Sequence, residues 1–205
     1  MCGRFTITKK DIGAIAEDLG ALYEQELAAA HRPRYNVAPT QPALLARREG
    51  DKIWLREGSW GIPRSSGLQI NTRAEAASTT RPCVIPADGF FEWQGPKSHR
   101  QPIWFHREDG GLLWFAGLYN EDARGTSFTI LTTTPNAEVA FVHDRMPVVL
   151  DAHHAGLWLA RPDRALLASL PDGALVATPV SARVNDVKND DESCLAELRG
   201  QMKLI

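Results

Sequence analysis

The stretch that decides the fold is Cys83-Val84-Ile85-Pro86-Ala87-Asp88-Gly89-Phe90-Phe91-Glu92-Trp93. Its two ends are rich in β-branched and aromatic residues, which favour strands, and the Pro-Ala-Asp-Gly segment between them is typical of a turn. Similar strand-like runs occur elsewhere, at residues 2–7, 43–46, 53–55, 103–105, 112–116, 127–133, 148–150 and 175–180. The pattern predicts a fold dominated by antiparallel strands.

Helical patterns are few and short. The apolar residues of the clearest one are Ile12, Ile15, Ala16, Leu19 and Leu22. Their spacing predicts a helix that packs on the core, with Thr8 as its N-cap and Gly20 near its end.

Other segments are predicted to form shorter elements around the sheet. Asp151 is expected to cap a helix, Asn71 or Thr72 to cap a short one over 71–77, and 137–142 and 164–170 to be helical. Residues 31–39, rich in cations and prolines, are expected to form an irregular loop. The sequence thus predicts a single α+β domain over residues 1–205, a mainly antiparallel, barrel-like sheet flanked by short helices.

Composition excludes several classes of protein. The 205 residues are 43% hydrophobic and 23% charged, as in a soluble domain. The apolar runs are shorter than the roughly 20 residues that cross a bilayer, so no membrane association is expected. Three cysteines without metal-like spacing favour a reducing cytoplasm over a disulfide framework. The adjacent His153 and His154 have no third ligand at a suitable spacing, so they are expected to lie on a helix surface and not to form a metal site.

The first five residues, Met1-Cys2-Gly3-Arg4-Phe5, carry the most reactive pattern in the chain. Removal of the initiator methionine, which a small second residue permits, would leave an α-amine and a thiol on Cys2. The amine can condense with a carbonyl and the thiol can then close onto the resulting imine. Alternatively, Cys2 is an ordinary buried residue that opens the first strand.

Three further side chains are candidates for proton transfer or orientation. Glu92 lies in an aromatic strand, where it either faces solvent or is desolvated, and desolvation would raise its pKa and suit it to acid–base chemistry. His143 has the side chain best matched to proton transfer at neutral pH, or it is a capping or core histidine. Asn71 either orients a nucleophile or caps a helix.

Two tryptophans, Trp60 and Trp93, are candidates for stacking on nucleobases. Each stacked base contributes about 1–3 kcal/mol. Tryptophan more often fills a core or its rim, and the chain contains six of them. The local sequence leaves both interpretations open.

Together, eight motifs in order make the chain resemble the SRAP (SOS response-associated peptidase) family, whose members form covalent links to abasic sites in single-stranded DNA. The motifs are Met1-Cys2-Gly3-Arg4-Phe5, Tyr35-Asn36-Val37-Ala38-Pro39, Trp60-Gly61, Asn71-Thr72-Arg73-Ala74-Glu75, Pro86-Ala87-Asp88-Gly89-Phe90-Phe91-Glu92-Trp93, Thr132-Thr133, His143-Asp144-Arg145-Met146-Pro147 and Val184-Asn185. They span nearly the whole chain.

The resemblance implies a set of functional residues. Its catalytic positions are Cys2, Asn71, Glu92 and His143. Its DNA-contacting positions are Arg4, Trp60, Arg73, Trp93 and Thr132, to which Arg145 is added as a candidate phosphate contact. The chain departs from the family where residues 76–82 replace a longer, arginine-containing stretch. There Arg81 is a candidate to replace a lost phosphate contact.

The resemblance further implies what the protein does and where. The expected function is to sense and shield abasic sites in single-stranded DNA, through a covalent thiazolidine crosslink formed by Cys2 after loss of Met1. The family name implies a peptidase, interpreted as removal of Met1, either self-catalysed or by a methionine aminopeptidase. We expect a cytoplasmic monomer without a metal or nucleotide cofactor, nucleoid-associated in a bacterium, with replication-fork proteins as further candidate partners.

Two other classes of function remain open from the sequence. One is an N-terminal-nucleophile amidohydrolase, since glutamine amidotransferase domains also begin with Met-Cys-Gly; Cys2 would then attack a carboxamide. The other is a non-catalytic single-strand-binding module, in which Glu92 and His143 are structural. Glutamine hydrolysis without DNA linkage would select the first, and tight binding of undamaged strands without linkage the second.

Overall fold

The computed structural model describes residues 2–96 and 99–198 of the chain. The strands are β1 Phe5–Ile7, β2 Arg34–Val37, β3 Pro42–Glu49, β4 Lys52–Trp60, β5 Ile62–Arg64, β6 Gly67–Gln69, β7 Asn71–Arg73, β8 Pro82–Ala87, β9 Gly89–Gln94, β10 Gln101–His106, β11 Leu113–Asp122, β12 Gly125–Thr133, β13 Met146–Pro147, β14 Val149–Leu150 and β15 Val176–Pro179. The α-helices are α1 Ile12–Leu19, α2 Gln25–Ala30, α3 Ala137–Ala140 and α4 Ala152–Ala160. Short 3₁₀ turns occupy Ala74–Ala76, Arg164–Leu166, Ala182–Asn185 and Glu192–Leu195.

Five strands close into a barrel. Their pairing runs β3–β4–β12–β11–β8 and back to β3, and all of these pairs are antiparallel except β4 with β12. Closure pairs every strand on both sides, which removes the exposed sheet edges that promote aggregation. The prediction of a mainly antiparallel, barrel-like fold is therefore confirmed.

A second sheet, in the order β15–β10–β9–β1–β2, lies beside the barrel. The turn at Asp88 joins barrel strand β8 to β9 of this second sheet. The Asp88 carboxylate accepts hydrogen bonds from the Thr6 hydroxyl at 2.5 Å and from the Thr8 backbone N–H and hydroxyl at 2.5 and 2.6 Å. Asp88 thus fixes the end of β1 against the point where the chain passes from one sheet to the other.

Gly89 is required at this turn because another side chain covers it. A Cβ atom at Gly89 would lie 2.1 Å from Nε1 of Trp104, far inside van der Waals contact. The same Nε1 donates a hydrogen bond to the Thr6 hydroxyl at 3.2 Å. The Asp88-Gly89 pair therefore serves one packing arrangement, in which β1, β9 and β10 meet.

The predicted helix boundaries need corrections. Helix α1 does bury the expected apolar face and ends at Gly20 in a left-handed conformation with φ of 64°. Its N-cap, however, is Asp11, whose side chain accepts from the Gly13 N–H at 2.8 Å, because Thr8 is already bonded to Asp88. Leu22 lies outside the helix and bridges to Trp54 of β4.

Three other predicted segments differ from the structure. Residues 71–73 form strand β7 beside β12, so neither Asn71 nor Thr72 caps a helix, and only a 3₁₀ turn follows. Residues 34–37 of the expected loop pair with β1 as strand β2. The segment predicted helical over 164–170 is reduced to the 3₁₀ turn at 164–166. Asp151 caps α4 as predicted, accepting from the His154 N–H at 2.7 Å.

Within the described residues, no helix combines the length and the apolar character needed to span a membrane.

Candidate active site

Cys2 lies where the two sheets meet. It precedes β1 of the second sheet, and its side chain is fully buried. Asn71, on barrel-associated strand β7, donates from Nδ2 to the Cys2 carbonyl oxygen at 2.8 Å. The Cys2 thiol points back to the Arg4 carbonyl oxygen, at 3.7 Å. Cys2 is thus buried and tied to the barrel-associated strand β7.

The other Asn71 amide atom remains available for chemistry. Its Oδ1 is buried and accepts no hydrogen bond from the described residues. A buried acceptor without a donor costs free energy, about 1–3 kcal/mol for a typical group. An N–H or O–H group placed next to Asn71 Oδ1 would therefore gain a hydrogen-bond acceptor beside Cys2.

Glu92 lies close enough to the Cys2 thiol to affect its pKa, and the site formed by Cys2, Asn71, Glu92 and His143 is called the pocket below. It lies in the middle of β9, opposite Ile103 of β10, and is only 4% exposed. Burial raises the pKa of the Glu92 carboxyl, and nearby His143 opposes that rise. Burial also raises the pKa of the Cys2 thiol, and the adjacent charge of Glu92 raises it further. The desolvated alternative for Glu92 is therefore the one found in the structure.

His143 completes the set, in the loop after α3. Its side chain is 30% exposed, so the ring reaches solvent while it interacts electrostatically with Glu92. Its Nδ1 accepts a hydrogen bond from the Arg145 backbone N–H at 3.0 Å and lies 2.9 Å from Oδ1 of Asp144. The structure brings Cys2, Asn71, Glu92 and His143 together, from segments distant in sequence.

Arg4 is less available than the sequence suggested. Its Nη1 donates to Asn36 Oδ1 at 2.9 Å and to the Val184 carbonyl at 2.8 Å. Its guanidinium carbon also lies 5.8 Å from the centroid of the Trp93 ring. Through these hydrogen bonds, Arg4 connects the segment after Cys2 to Asn36 and Val184. A phosphate would have to compete with these contacts for the guanidinium.

Asn36 is a structural residue that sequence reasoning did not single out. It is fully buried, and its Nδ2 donates to three carbonyls, of Val184, Asp186 and Asn189, at 3.1, 3.1 and 2.7 Å. Asp190 adds a contact through Oδ1, which accepts from the Asn36 N–H at 2.9 Å. The sequence signal that could have identified Asn36 as a buried, hydrogen-bonded residue was its position between Tyr35 and Val37 in a strand-like run. The contacts of Asn36 explain why the 35–39 and 184–185 motifs occur together.

The expectation that Trp60 contacts DNA is wrong for this structure. Its side chain is fully buried in the core, with Nε1 donating to the Ile70 carbonyl at 2.9 Å and its ring 5.2 Å from that of Phe5. A base cannot reach either face of this ring without unfolding the barrel. Trp93 differs, because it is only half-buried and its Nε1 donates to Asn185 at 2.6 Å.

Thr132 and Arg145 also require correction as direct DNA contacts. Thr132 is 1% exposed, and its carbonyl accepts from Nη2 of Arg145. The Arg145 guanidinium is held by Glu75 through two hydrogen bonds, at 2.6 and 2.8 Å. Arg73 and Arg81 are exposed, although Arg81 also donates to Asn120 at 3.2 Å. Both of these arginines remain predictions for phosphate contact.

The chain is similar to known proteins over nearly its whole length. The family model described as SOS response associated peptidase (SRAP) matches residues 1–187. The chain is 31% identical to the abasic site processing protein YoaM of Bacillus subtilis, over 95% of this chain and 97% of that protein. It is 33% identical to the abasic site processing protein YoqW of the same species, over 93% and 96% of the two chains.

Solved structures share the architecture. A crystal structure of a protein from Bacteroides thetaiotaomicron aligns with a TM-score of 0.80 at 18% identity, covering 96% of this chain and all of that one. At this level of identity, the similarity concerns the fold.

Proposed function

The chain belongs to the SOS response associated peptidase (SRAP) family, and from this premise we propose that it forms a covalent thiazolidine crosslink with abasic sites in single-stranded DNA. The observation that carries the proposal is the burial of Cys2 beside Glu92, with Asn71 bonded to its carbonyl. Relatives named as abasic site processing proteins support the substrate.

The first step uses the amine that Cys2 acquires when Met1 is removed. An abasic site exists partly as a ring-opened aldehyde, and the amine adds to its carbonyl carbon to give a carbinolamine. Glu92, whose pKa is raised by burial, holds its proton to higher pH than an exposed carboxyl and can deliver it to the departing hydroxyl. Water leaves and an imine joins the Cys2 nitrogen to the sugar carbon.

The second step uses the thiol of the same residue. The sulfur adds to the imine carbon, the C=N bond becomes a single bond, and the nitrogen gains a proton as the thiol loses one. The product is a five-membered thiazolidine, and one water is lost overall. Because sulfur and imine belong to one residue, ring closure is intramolecular, which gives it a large effective concentration.

The buried Cys2 thiol requires a general base to become nucleophilic. Burial keeps the pKa of the Cys2 thiol high, so little thiolate exists at neutral pH. A carboxylate beside the thiol can accept its proton at the moment of attack. Asn71 Oδ1 would accept an N–H of the amine or the hydroxyl of the carbinolamine, and His143 would assist opening of the sugar ring.

DNA would be held mainly outside this pocket. We assign the flanking phosphates to the exposed Arg73 and Arg81, and base stacking to Trp93. Single-stranded DNA suits such a surface because its bases are already unstacked. Because these arginines would contact phosphates, binding should weaken as salt concentration rises.

The test is a crosslinking assay with an abasic oligonucleotide, read on a denaturing gel. Wild type should give a heat-stable shifted band, and Cys2→Ala should give none. Borohydride should still trap Cys2→Ala, because the amine remains and its imine can be reduced. Cys83→Ala is the matched control, since Cys83 is also a fully buried thiol but lies in barrel strand β8. It should crosslink like wild type.

Other outcomes of this assay would reject the proposal. A heat-stable band of full intensity from Cys2→Ala would exclude thiazolidine closure. Tight binding of undamaged strands without any linkage by wild type would identify a binding module. Hydrolysis of glutamine without linkage would identify an amidohydrolase.

A further inference from the structure

We propose that the Glu75–Arg145 ion pair is a positioning device for His143, which holds the Arg145 backbone N–H against Nδ1 and so keeps the proton of the neutral ring on Nε2. The catalytic consequence of this inference rests on the proposed function. The tautomer itself does not, and it can be measured without DNA.

The ion pair, called the clamp below, is bidentate, and its Glu75 side chain is 57% exposed. Nη1 and Nη2 of Arg145 donate to the two carboxylate oxygens of Glu75 at 2.6 and 2.8 Å, and Nη2 also donates to the Thr132 carbonyl. The Arg145 side chain is only 10% exposed. Two parallel hydrogen bonds fix orientation as well as distance. The backbone at Arg145 is therefore tied to the end of β12 and to the 3₁₀ turn after β7.

The clamp joins the two segments that carry catalytic side chains. Glu75 follows Asn71 by four residues, and Arg145 follows His143 by two. Asn71 and His143 act on the same pocket but have no direct sequence connection. The Glu75–Arg145 pair is thus a link that sets the position of one segment relative to the other.

His143 Nδ1 lies between two competing neighbours. The Arg145 N–H, at 3.0 Å, requires a bare nitrogen that can accept a hydrogen bond. The Asp144 carboxylate oxygen, at 2.9 Å, requires an N–H that can donate one. A neutral imidazole can satisfy one neighbour only, and the choice determines which ring nitrogen carries the proton.

The clamp favours the Arg145 N–H in this competition. The Asp144 side chain is 84% exposed, so water competes for its oxygen atoms. Arg145 is held in place by Glu75 and by the Thr132 carbonyl. A bare Nδ1 leaves the proton on Nε2, where neutral His143 can donate it. If the clamp is loosened, the Nδ1–H tautomer should gain population.

A first experiment measures the tautomer directly, in the full chain without DNA. Nitrogen-15 spectra of the His143 ring, at a pH where the ring is neutral, should show an unprotonated Nδ1 in wild type. Glu75→Gln should shift population toward Nδ1–H. Glu49→Gln is the matched control, because Glu49 forms an equivalent two-bond pair with Arg56, at 3.0 and 2.7 Å. Identical ring spectra for wild type and Glu75→Gln would overturn the inference.

A second experiment separates positioning from DNA contact. Glu75→Gln should lower the maximal crosslinking rate at saturating DNA by about tenfold or more, as displaced catalytic groups do. The half-saturating DNA concentration should change less than about twofold, because Glu75 itself does not bind phosphate. Arg145→Lys, which keeps the charge but loses the two-bond geometry, should behave like Glu75→Gln, and Glu49→Gln like wild type.

The outcomes are distinguishable from failure of the proposed function. A higher half-saturating DNA concentration with an unchanged maximal rate would make Arg145 a DNA contact and overturn the inference. A wild-type protein that never crosslinks would reject the proposed function, and the ring spectra would still decide the tautomer. If Glu75→Gln does not fold, Arg145→Lys carries both measurements.

Discussion

The pocket at the sheet junction and the β3–β4 hairpin contain the same residue types in opposite environments. In the pocket, Glu92 is buried and its pKa is raised. In the hairpin, hydrogen bonds from Arg56 and Arg47 lower the pKa of Glu49 to about 2. The difference shows that burial dominates the pKa of the pocket carboxyl, whereas hydrogen bonds from arginines dominate the pKa of the hairpin carboxylate. A carboxyl whose pKa is raised by burial holds its proton to higher pH and is better suited to acid–base catalysis.

Two tryptophans of strand β4 show a similar contrast. Trp60 is fully buried against Phe5, next to the segment that carries Cys2. Trp54, in the hairpin, is partly exposed and lies under the Arg56 guanidinium, at 4.6 Å from the ring centroid. One ring is part of the core that supports the pocket, and the other belongs to the surface.

The largest expected effect concerns these two rings. Trp60→Ala should lower the free energy of unfolding by about 3–5 kcal/mol, because it leaves a cavity in the barrel. Trp54→Ala should cost about 1 kcal/mol, mostly its contact with Arg56. Urea denaturation of both variants checks this. Equal losses would mean that Trp60 is not a core residue, and that its role in DNA binding should be reconsidered.

The next effect concerns the two glutamates as catalytic groups. Glu92→Gln should slow crosslink formation at neutral pH by about 100-fold or more, the usual contribution of a general acid or base. Glu49→Gln should leave the rate unchanged, because Glu49 lies in the hairpin and is neutralised by arginines. Time courses with an abasic oligonucleotide measure both. A Glu92→Gln protein as fast as wild type would remove Glu92 from the mechanism.

The smallest effect is the pH dependence of stability, and here the two glutamates should have opposite signs. A free glutamate titrates near 4.3. The folded pKa of Glu92 is higher, so the folded state binds more protons, and stability should fall as pH rises from about 4.3 to that pKa. The folded pKa of Glu49 is about 2, so its contribution is present above about 4.3 and lost as pH falls through about 2.

Denaturation at several pH values tests these signs. Glu92→Gln should flatten the fall in stability and be more stable than wild type above that range. Glu49→Gln should flatten the rise and cost no more than about 1 kcal/mol at neutral pH, as surface ion pairs do. Slopes of the same sign for both variants would contradict the assigned environments.

The sequence predicted those features that depend on local pattern. Alternating apolar runs and the turn before Gly89 were sufficient to predict the sheet. The ordered motifs selected Cys2, Asn71, Glu92 and His143, which the fold brings close together, and their catalytic roles stay predictions. Trp60 and Trp93 could not be separated in this way. Both adjoin glycine or aromatic residues in strand-like runs, and only the closed barrel determines that Trp60 faces inward.

Long-range bonds account for the other differences. The local sequence predicted Thr8 as the N-cap of α1, but its hydroxyl donates to Asp88, which is distant in sequence. The motif predicted Arg145 as a phosphate contact, but its guanidinium donates to Glu75 and to the Thr132 carbonyl. Such pairings depend on which strands become neighbours, and single-sequence patterns do not contain that information.

The central claim is that the amino group and sulfur of residue 2 both bond to one sugar carbon. The intact mass of the wild-type adduct with an abasic oligonucleotide tests it most directly. The account predicts the mass of the chain without Met1, plus the oligonucleotide, less one water, in a species that survives heating without borohydride. An adduct that retains Met1, or one located by peptide mapping on a residue other than Cys2, would contradict it.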